Sequence, residues 1–310
     1  MWVSSLRRRG VLGMNRRNYD FVGRWNPRRL YPLVDDKLRT KRLCEEFGVP
    51  TPALIGSVHH HYELRGLAGL LEDRDSFVVK PASGAQGNGI LVLTGRQGDD
   101  FVRSNGRLLS RGDLEFHVAE VLSGLYSLGG QPDHCLIEER LTVHPRLAEV
   151  SSGGVPDVRL IVYRGFPALG MVRLPTQRSA GRANLHQGAI GAGIDWATGH
   201  THHAVMRSRP VTEHPDTGKA VIGVELPAFE ELLEVGIRIA DAAGLGYLGV
   251  DLVIDEERGP VVLELNARPG LAIQLANNCG LLPRLEAIDR CFHPSVPVAE
   301  RVAFARGHAA

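Results

Sequence analysis

An α+β fold is predicted for this 310-residue chain by three features of its pattern. Strands follow one another as hairpins, without the regular strand–helix–strand alternation of a doubly wound sheet. Two amphipathic helices stand apart, one in each half of the chain. Glycine is frequent, with 36 residues largely in clusters, as expected where backbone turns tightly or approaches a ligand.

The elements follow in order. Residues 15–34 are basic and aromatic with two prolines, and read as an extended, irregular lead-in. Asp35 or Asp36 caps a helix running to Phe47, which Gly48 and Pro50 stop. Phe77–Lys80 is a short strand entering the glycine loop Ser83–Gly89, and Ile90–Leu93 is the returning strand. Phe101–Leu109 is a hairpin around Asn105-Gly106. Asp113 caps a helix with Leu114, Val118, Val121, Leu122, Leu125 and Leu128 on one face, ended by Gly129-Gly130. Cys135–Leu141 is a strand. Val158–Tyr163 and Ala168–Leu174 pair around Arg164–Pro167. Pro227 opens a helix carrying Phe229, Leu232, Leu233, Gly236, Ile239, Ala240 and Ala243, closed by Gly244. Leu248–Ile254 and Pro260–Asn266 form the last hairpin.

Composition sets limits. With 43% apolar and 23% charged residues, the chain suits one large or two modest soluble domains. Cys44, Cys135, Cys279 and Cys291 form no C-x-x-C pair, which argues against a zinc site or disulfide framework and for a reducing, cytoplasmic setting. No apolar run reaches the about 20 residues that span a bilayer, so the protein is not expected to be transmembrane. Arg7, Arg8 and Arg9 come without an apolar stretch, unlike a secretory signal, and Met14 is a candidate start. Residues 1–42 hold twelve Lys/Arg against three Asp, leaving 24 Lys/Arg against 32 Asp/Glu elsewhere. A basic arm on an acidic body accounts for this, as does contact with a protein partner or an anionic surface. The aromatic and glycine interleaving of RNA binders is absent, which disfavours nucleic acid. Self-association is left open. His59–His61 and His200, His202 and His203 lack the spacing of a closed metal site and are read as ordinary surface histidines.

The strongest chemistry lies in Gly249–Val253 and Leu263–Gly270. Pairing Ile254 with Val261 across the turn 255–259 sets Asp251 opposite Glu264, and Glu264 and Asn266, two apart, share a face. Leu252, Leu263 and Leu265 should point into the core. Two adjacent carboxylates repel unless a cation compensates. Mg²⁺ suits the three oxygen donors Asp251, Glu264 and Asn266, with Mn²⁺ as the alternative ion. Arg268 fits a transferring phosphoryl group or a developing oxyanion, or else neutralises the acids. Arg159 and Arg173 fall near each other across the 158–174 hairpin. They orient a carboxylate or phosphate, or pair with acids across the strands. Lys80 ends an apolar strand before Pro-Ala-Ser-Gly-Ala-Gln-Gly-Asn-Gly, where a point charge and loop N–H groups can meet the same phosphates. The spacing is neither a P-loop nor a dinucleotide fingerprint. Lys37 stands in the first turn of its helix, against the dipole, which hints at an anion.

These ordered motifs, spanning about Leu30 to Leu282, resemble the ATP-grasp superfamily, and most nearly the RimK-type, alpha-L-glutamate ligase-like proteins. The resemblance implies two α+β subdomains enclosing ATP. It implies that Lys37 and Lys80 bind phosphates and that Ser83, Gly84, Gly87 and Gly89 belong to a loop covering them. By the same resemblance, Ile137, Glu138, Glu139, Arg140 and Leu141 form an adenine-binding hinge, with Glu139 matching the family's usual acid, and Asp157 lies on the ribose side. Arg182 and Asn184 would meet phosphates, with His186 beside them, while Asp251, Glu264 and Asn266 match the metal triad. Only 36 residues precede Lys37, so a full N-terminal pre-grasp domain is not expected. The expected division is a basic lead-in at 1–36, subdomains at 37–136 and 137–293, and a tail at 294–310.

The implied activity is ATP-dependent joining of a small-molecule or peptide carboxylate to an amine through an acyl-phosphate, with Lys80, Arg173 and Arg268 at the reacting groups. No enzyme nucleophile is required, in keeping with the lack of a Ser/His/Asp or Cys/His arrangement. An ATP-grasp phosphotransferase on a small molecule and a nucleotide-binding subunit needing a partner are the two alternatives.

Overall fold

In the computed structural model the described residues are 6, 8–84, 87–127 and 129–307. Arg7, Ala85, Gln86 and Leu128, named above, lie outside them. The chain divides into a smaller unit, residues 36–38 and 52–142, and a larger one, residues 1–35, 39–51 and 143–310. The smaller unit thus runs through residue 142.

Helix α1 (Lys37–Glu46) begins in the smaller unit, where the Asp36 carboxylate accepts from the Leu38 amide at 2.8 Å, the predicted cap. The smaller unit is a six-stranded antiparallel sheet of β1 (Leu54–Val58), β2 (Phe77–Pro81), β3 (Leu91–Gln97), β4 (Asp100–Arg103), β5 (Leu108–Leu109) and β6 (Cys135–Glu138). Their order is β1-β6-β2-β3-β4-β5. β2 and β3 pair as the expected hairpin, Phe77 opposite Leu93, and β4 and β5 pair with Phe101 opposite Leu109. Helix α2 (Arg111–Leu122) lays Leu114, Val118, Val121 and Leu122 on Phe77, Val79, Leu93 and Phe101.

Two details of α2 differ from expectation. Its cap is Ser110, whose hydroxyl accepts from the Asp113 amide at 3.1 Å, and Asp113 sits inside the first turn. The helix stops at Ser123, so Leu125 falls beyond it and is 63% exposed. Ser110→Ala should cost about 1 kcal/mol, the usual value of such a cap, read as a lowered denaturant midpoint at unchanged slope. An unaltered midpoint would remove Ser110 from this role.

The larger unit is a seven-stranded antiparallel sheet of β7 (Asp157–Tyr163), β8 (Phe166–Leu174), β9 (Ile190–Ile194), β10 (Thr201–Met206), β11 (Arg209–Pro210), β12 (Tyr247–Asp255) and β13 (Gly259–Asn266). Their order is β11-β10-β9-β8-β7-β12-β13. Both faces are covered. Leu160, Val162 and Val172 face helix α3 (Phe229–Ala243). Ile161, Tyr163 and Met171 face Phe21, Val22, Ile273 and helix α4 (Leu282–Cys291). Burial on both sides explains why β7 and β8 read as apolar runs rather than alternating ones. Strands β9 to β11 had no individual signal, because β9 carries the glycines Gly191 and Gly193. A side chain at Gly193 would come within 2.6 Å of the Ala276 carbonyl, so close packing outweighs strand propensity there.

The lead-in is not extended. Met14–Arg16, the π-helical Arg17–Val22 and Gly23–Trp25 form a run of short helical pieces. Phe21 meets Tyr163 edge-on at 5.4 Å, and Asn26 exchanges bonds with Tyr247, donating at 2.7 Å and accepting at 2.9 Å. An apolar sheet face that must be covered overrides weak local preference. Within the expected tail, helix α5 (Val298–Gly307) buries Val302 and Ala305 and sets Phe304 5.3 Å from Phe166.

Candidate functional site

The carboxylate hairpin forms as predicted at its functional end and slips at the other. Ile254 pairs with Pro260 instead of Val261, and a bulge beside Leu252 then restores Asp251 opposite Glu264 and Gly249 opposite Asn266. The extra residue, Leu263, is only half-buried, unlike Leu252 and Leu265. Bulges re-aim side chains in this way.

On the other side of β12, Asp251 faces Arg159 of β7, and two residues along β7, Asp157 faces Arg173 of β8. This register builds a charged row inside the sheet. Arg159 grips Asp251 through Nε, 2.6 Å from Oδ1, and through Nη2. Arg173 holds both Asp157 oxygens at 2.5 Å and reaches Asp251 Oδ2 at 2.8 Å. Arg159 Nη2 stands 4.0 Å from Glu264 Oε1, and the Asn266 amide donates to Asp251 Oδ2 at 3.3 Å.

Asp251 is 1% exposed, Asp157 6% and Arg173 8%. Burial alone raises a carboxyl, yet the Arg159 and Arg173 guanidiniums hold Asp251 well below the usual range. Burial pushes Asp157 up, and the Asp251 charge adds to this against the pull of Arg173. Burial also works against the Arg173 charge, but Asp157 and Asp251 more than offset it and raise its pKa.

Of the two readings of the arginine pair, the structure gives pairing with acids. Asp157, expected on the ribose side, has both its oxygens bonded to Arg173 through the cross-strand register. Asp251 is likewise the hub of the arginines, with Glu264 partly exposed beside it. The donor chemistry still fits a hard divalent ion, since Asp251, Glu264 and Asn266 offer carboxylate and amide oxygens from one strand pair. Three carboxylates against two guanidiniums also leave the row one negative charge in excess. Among the described residues no three His, Cys, Asp or Glu side chains gather as a metal cluster, and this set has two acids and an amide.

Arg268, after β13, is exposed with its guanidinium 5.5 Å over the Tyr31 ring. Arg182 donates to Gln187 Oε1 at 3.4 Å. Asn184 caps the turn Leu185–Gln187 by accepting from the His186 amide at 3.0 Å. Asn184 and His186 are thus brought together locally, and the turn closes at Gly188 with φ +108°.

In the smaller unit, Lys80 is 7% exposed, and its ammonium lies 2.6 Å from Glu138 Oε2. Lys37 donates to the Gly84 carbonyl at 2.6 Å, directly at the glycine loop. The Ser83 amide lies 3.1 and 2.9 Å from the two Asp133 oxygens. Glu139 is tied to Ala53, its amide donating to the Ala53 carbonyl at 3.0 Å and its carboxylate accepting from the Ala53 amide. Arg140 is exposed and Leu141 buried.

Asp133 and His117 carried no expected role, and Glu138 was expected only in the hinge segment 137–141, not as the partner of Lys80. That partnership was hidden because strand pairing decides it: β6 sets Glu138 opposite Val78, two residues from Lys80 on the same face. His117 was legible, since it falls on the stripe of Leu114, Val118 and Val121 at helical spacing.

The family profile described as sugar-transfer associated ATP-grasp matches residues 16–290. The chain belongs to that family, and its two antiparallel sheets with flanking helices are the α+β fold expected of it. A protein of Xanthomonas euvesicatoria pv. vesicatoria (strain 85-10), named probable alpha-L-glutamate ligase, is 28% identical over 257 residues, 82% of this chain and 64% of its own length. One of the same name from Xylella fastidiosa (strain M12) is 27% identical, covering 82% and 63%. The chain therefore spans less than two thirds of the curated relatives it matches. Among solved structures, D-cycloserine synthetase DcsG aligns at 17% identity and TM-score 0.46, over 86% of this chain and 72% of that one. D-alanine–D-alanine ligase from Bacillus anthracis, complexed with ATP, aligns at 14% and 0.45, over 89% and 68%. No helix among the described residues is long and apolar enough to cross a membrane.

Proposed function

We propose that the chain is an ATP-dependent carboxylate–amine ligase of the EC 6.3 type, forming a peptide-like bond through an acyl-phosphate. The observation that carries the proposal is the register placing Glu264, Asp251 and Arg159 in one row across β13, β12 and β7. Family membership and relatives named as glutamate ligases support it.

In this reading Lys37, Lys80 and the glycine-loop residues Ser83, Gly84, Gly87 and Gly89 serve phosphate. Glu138 holds Lys80 at 2.6 Å, so its charge stays fixed in place. Asp251, Glu264 and Asn266 serve as oxygen donors. When bound there, Mg²⁺ neutralises charge developing on the transferring phosphoryl group. Arg159 and Arg173 hold Asp251 ionised, and Arg173 is rigid because Asp157 fixes both arms of its fork. Arg268, exposed at the end of β13, meets the activated carboxylate, whose acyl-phosphate the amine then attacks. The adenine-side assignments of Glu139, Arg140 and Leu141, and the phosphate-side ones of Arg182, Asn184 and His186, belong to the same proposal, as does a cytoplasmic setting.

The test is product analysis on the purified chain with Mg²⁺ and ATP. Amino acids serve as amines, and peptide acids and carboxylated sugars as acceptors, the sugars prompted by the family's description. Release of ADP and phosphate only when carboxylate and amine are both present is the expected result, with an amide product by mass spectrometry. A phosphorylated alcohol would replace this reading with phosphotransfer. No turnover with any pair would favour a subunit that needs a partner.

A further inference from the structure

We propose that His117 and Tyr126 clamp the far end of the glycine loop, making His117 a positioning residue for nucleotide. The proposal rests on the reading that this loop covers phosphate. His117 Nε2 lies 3.0 Å from the Gly89 carbonyl. A carbonyl only accepts, so Nε2 carries the proton and donates. Burial lowers the His117 pKa against the opposing pulls of Gly89 and Glu120, which favours the neutral ring.

Tyr126 closes the other side of the same residue. A side chain at Gly89, whose φ is +74°, would sit 2.6 Å from Tyr126 Cγ, so glycine is required both for the turn and for the ring beneath it. The Tyr126 hydroxyl donates to Glu120 at 2.7 Å, and the His117 and Tyr126 rings lie 5.3 Å apart. The near end of the loop is held by the same stretch of chain. Ser127 pairs with Gly84 as an isolated bridge, and Asp133 accepts from the Ser83 amide. Both roots of the loop are therefore anchored to α2 and to the segment that leads from it into β6. All of these anchors lie within the smaller unit. Holding Ser83, Gly84 and Gly89 in place before a ligand binds lowers the ordering cost of binding, and the saving appears as affinity.

The test compares His117→Leu, which keeps bulk and loses the donor, with His117→Gln, whose amide nitrogen can replace Nε2. In the full chain the leucine variant should raise the KM for ATP about tenfold while kcat changes by less than about twofold, and glutamine should restore KM to within about threefold. In the nucleotide-free protein, amide exchange at residues 87–91 should quicken in the leucine variant alone, while the β7, β8 and β12 amides keep their protection. An unchanged KM with unchanged exchange at 87–91 overturns the clamp. So does a glutamine variant as impaired as leucine. If the wild-type chain binds no Mg·ATP, the phosphate reading of the loop fails, and exchange in the nucleotide-free chain still decides the clamp.

Discussion

Replacing Glu264 with alanine is expected to reduce Mg²⁺-dependent ADP formation by on the order of a thousandfold while leaving the fold intact. A bound divalent ion contributes several kcal/mol to stabilising transferring phosphate, and each 1.36 kcal/mol is about tenfold in rate. Glu264 is the exposed member of the charged row, with a side chain 36% accessible, whereas Asp251 is 1%. Its loss should therefore change thermal stability little, which separates catalysis from folding. Single-turnover measurements across a Mg²⁺ titration read the effect directly. If the alanine variant keeps full turnover with an unshifted Mg²⁺ requirement, the assignment of this row to the metal is wrong.

Arg173→Met is expected to destabilise the larger unit by about 3–5 kcal/mol, the usual cost of removing one partner from a buried ion pair. Arg173 is the only described side chain bonded to both Asp157 and Asp251, at 2.5 and 2.8 Å. Without it, Asp157 loses both of its fork bonds while buried at 6% exposure. Chemical denaturation of the whole chain would show a lowered midpoint for the larger unit. Adding Asp157→Asn should recover much of the loss, because the stranded charge goes with its partner, and the double-mutant cycle measures that coupling. A midpoint equal to wild type in the single variant would mean that the row contributes nothing to stability.

The amino-acid pattern alone determined the hairpins and the two long helices, whereas Asp251 meets Glu264 only because a bulge beside Leu252 offsets a one-residue slip at the turn. The hairpins and helices follow from local periodicity, capping or turn chemistry that needs no distant partner. Lys80 before a glycine loop was legible for the same reason. Tertiary structure alone decided which groups the charges meet. Arg159 and Arg173 were known to be neighbours, but whether they face ligand or acid depended on β12 lying beside β7. Glu138 became the partner of Lys80 only when β6 inserted next to β2. The basic lead-in became helical because an open sheet face needed Phe21 and Val22. Periodicity is written along the chain, whereas strand order and the covering of a sheet's second face are set by contacts between residues far apart in sequence, and no local signal encodes them.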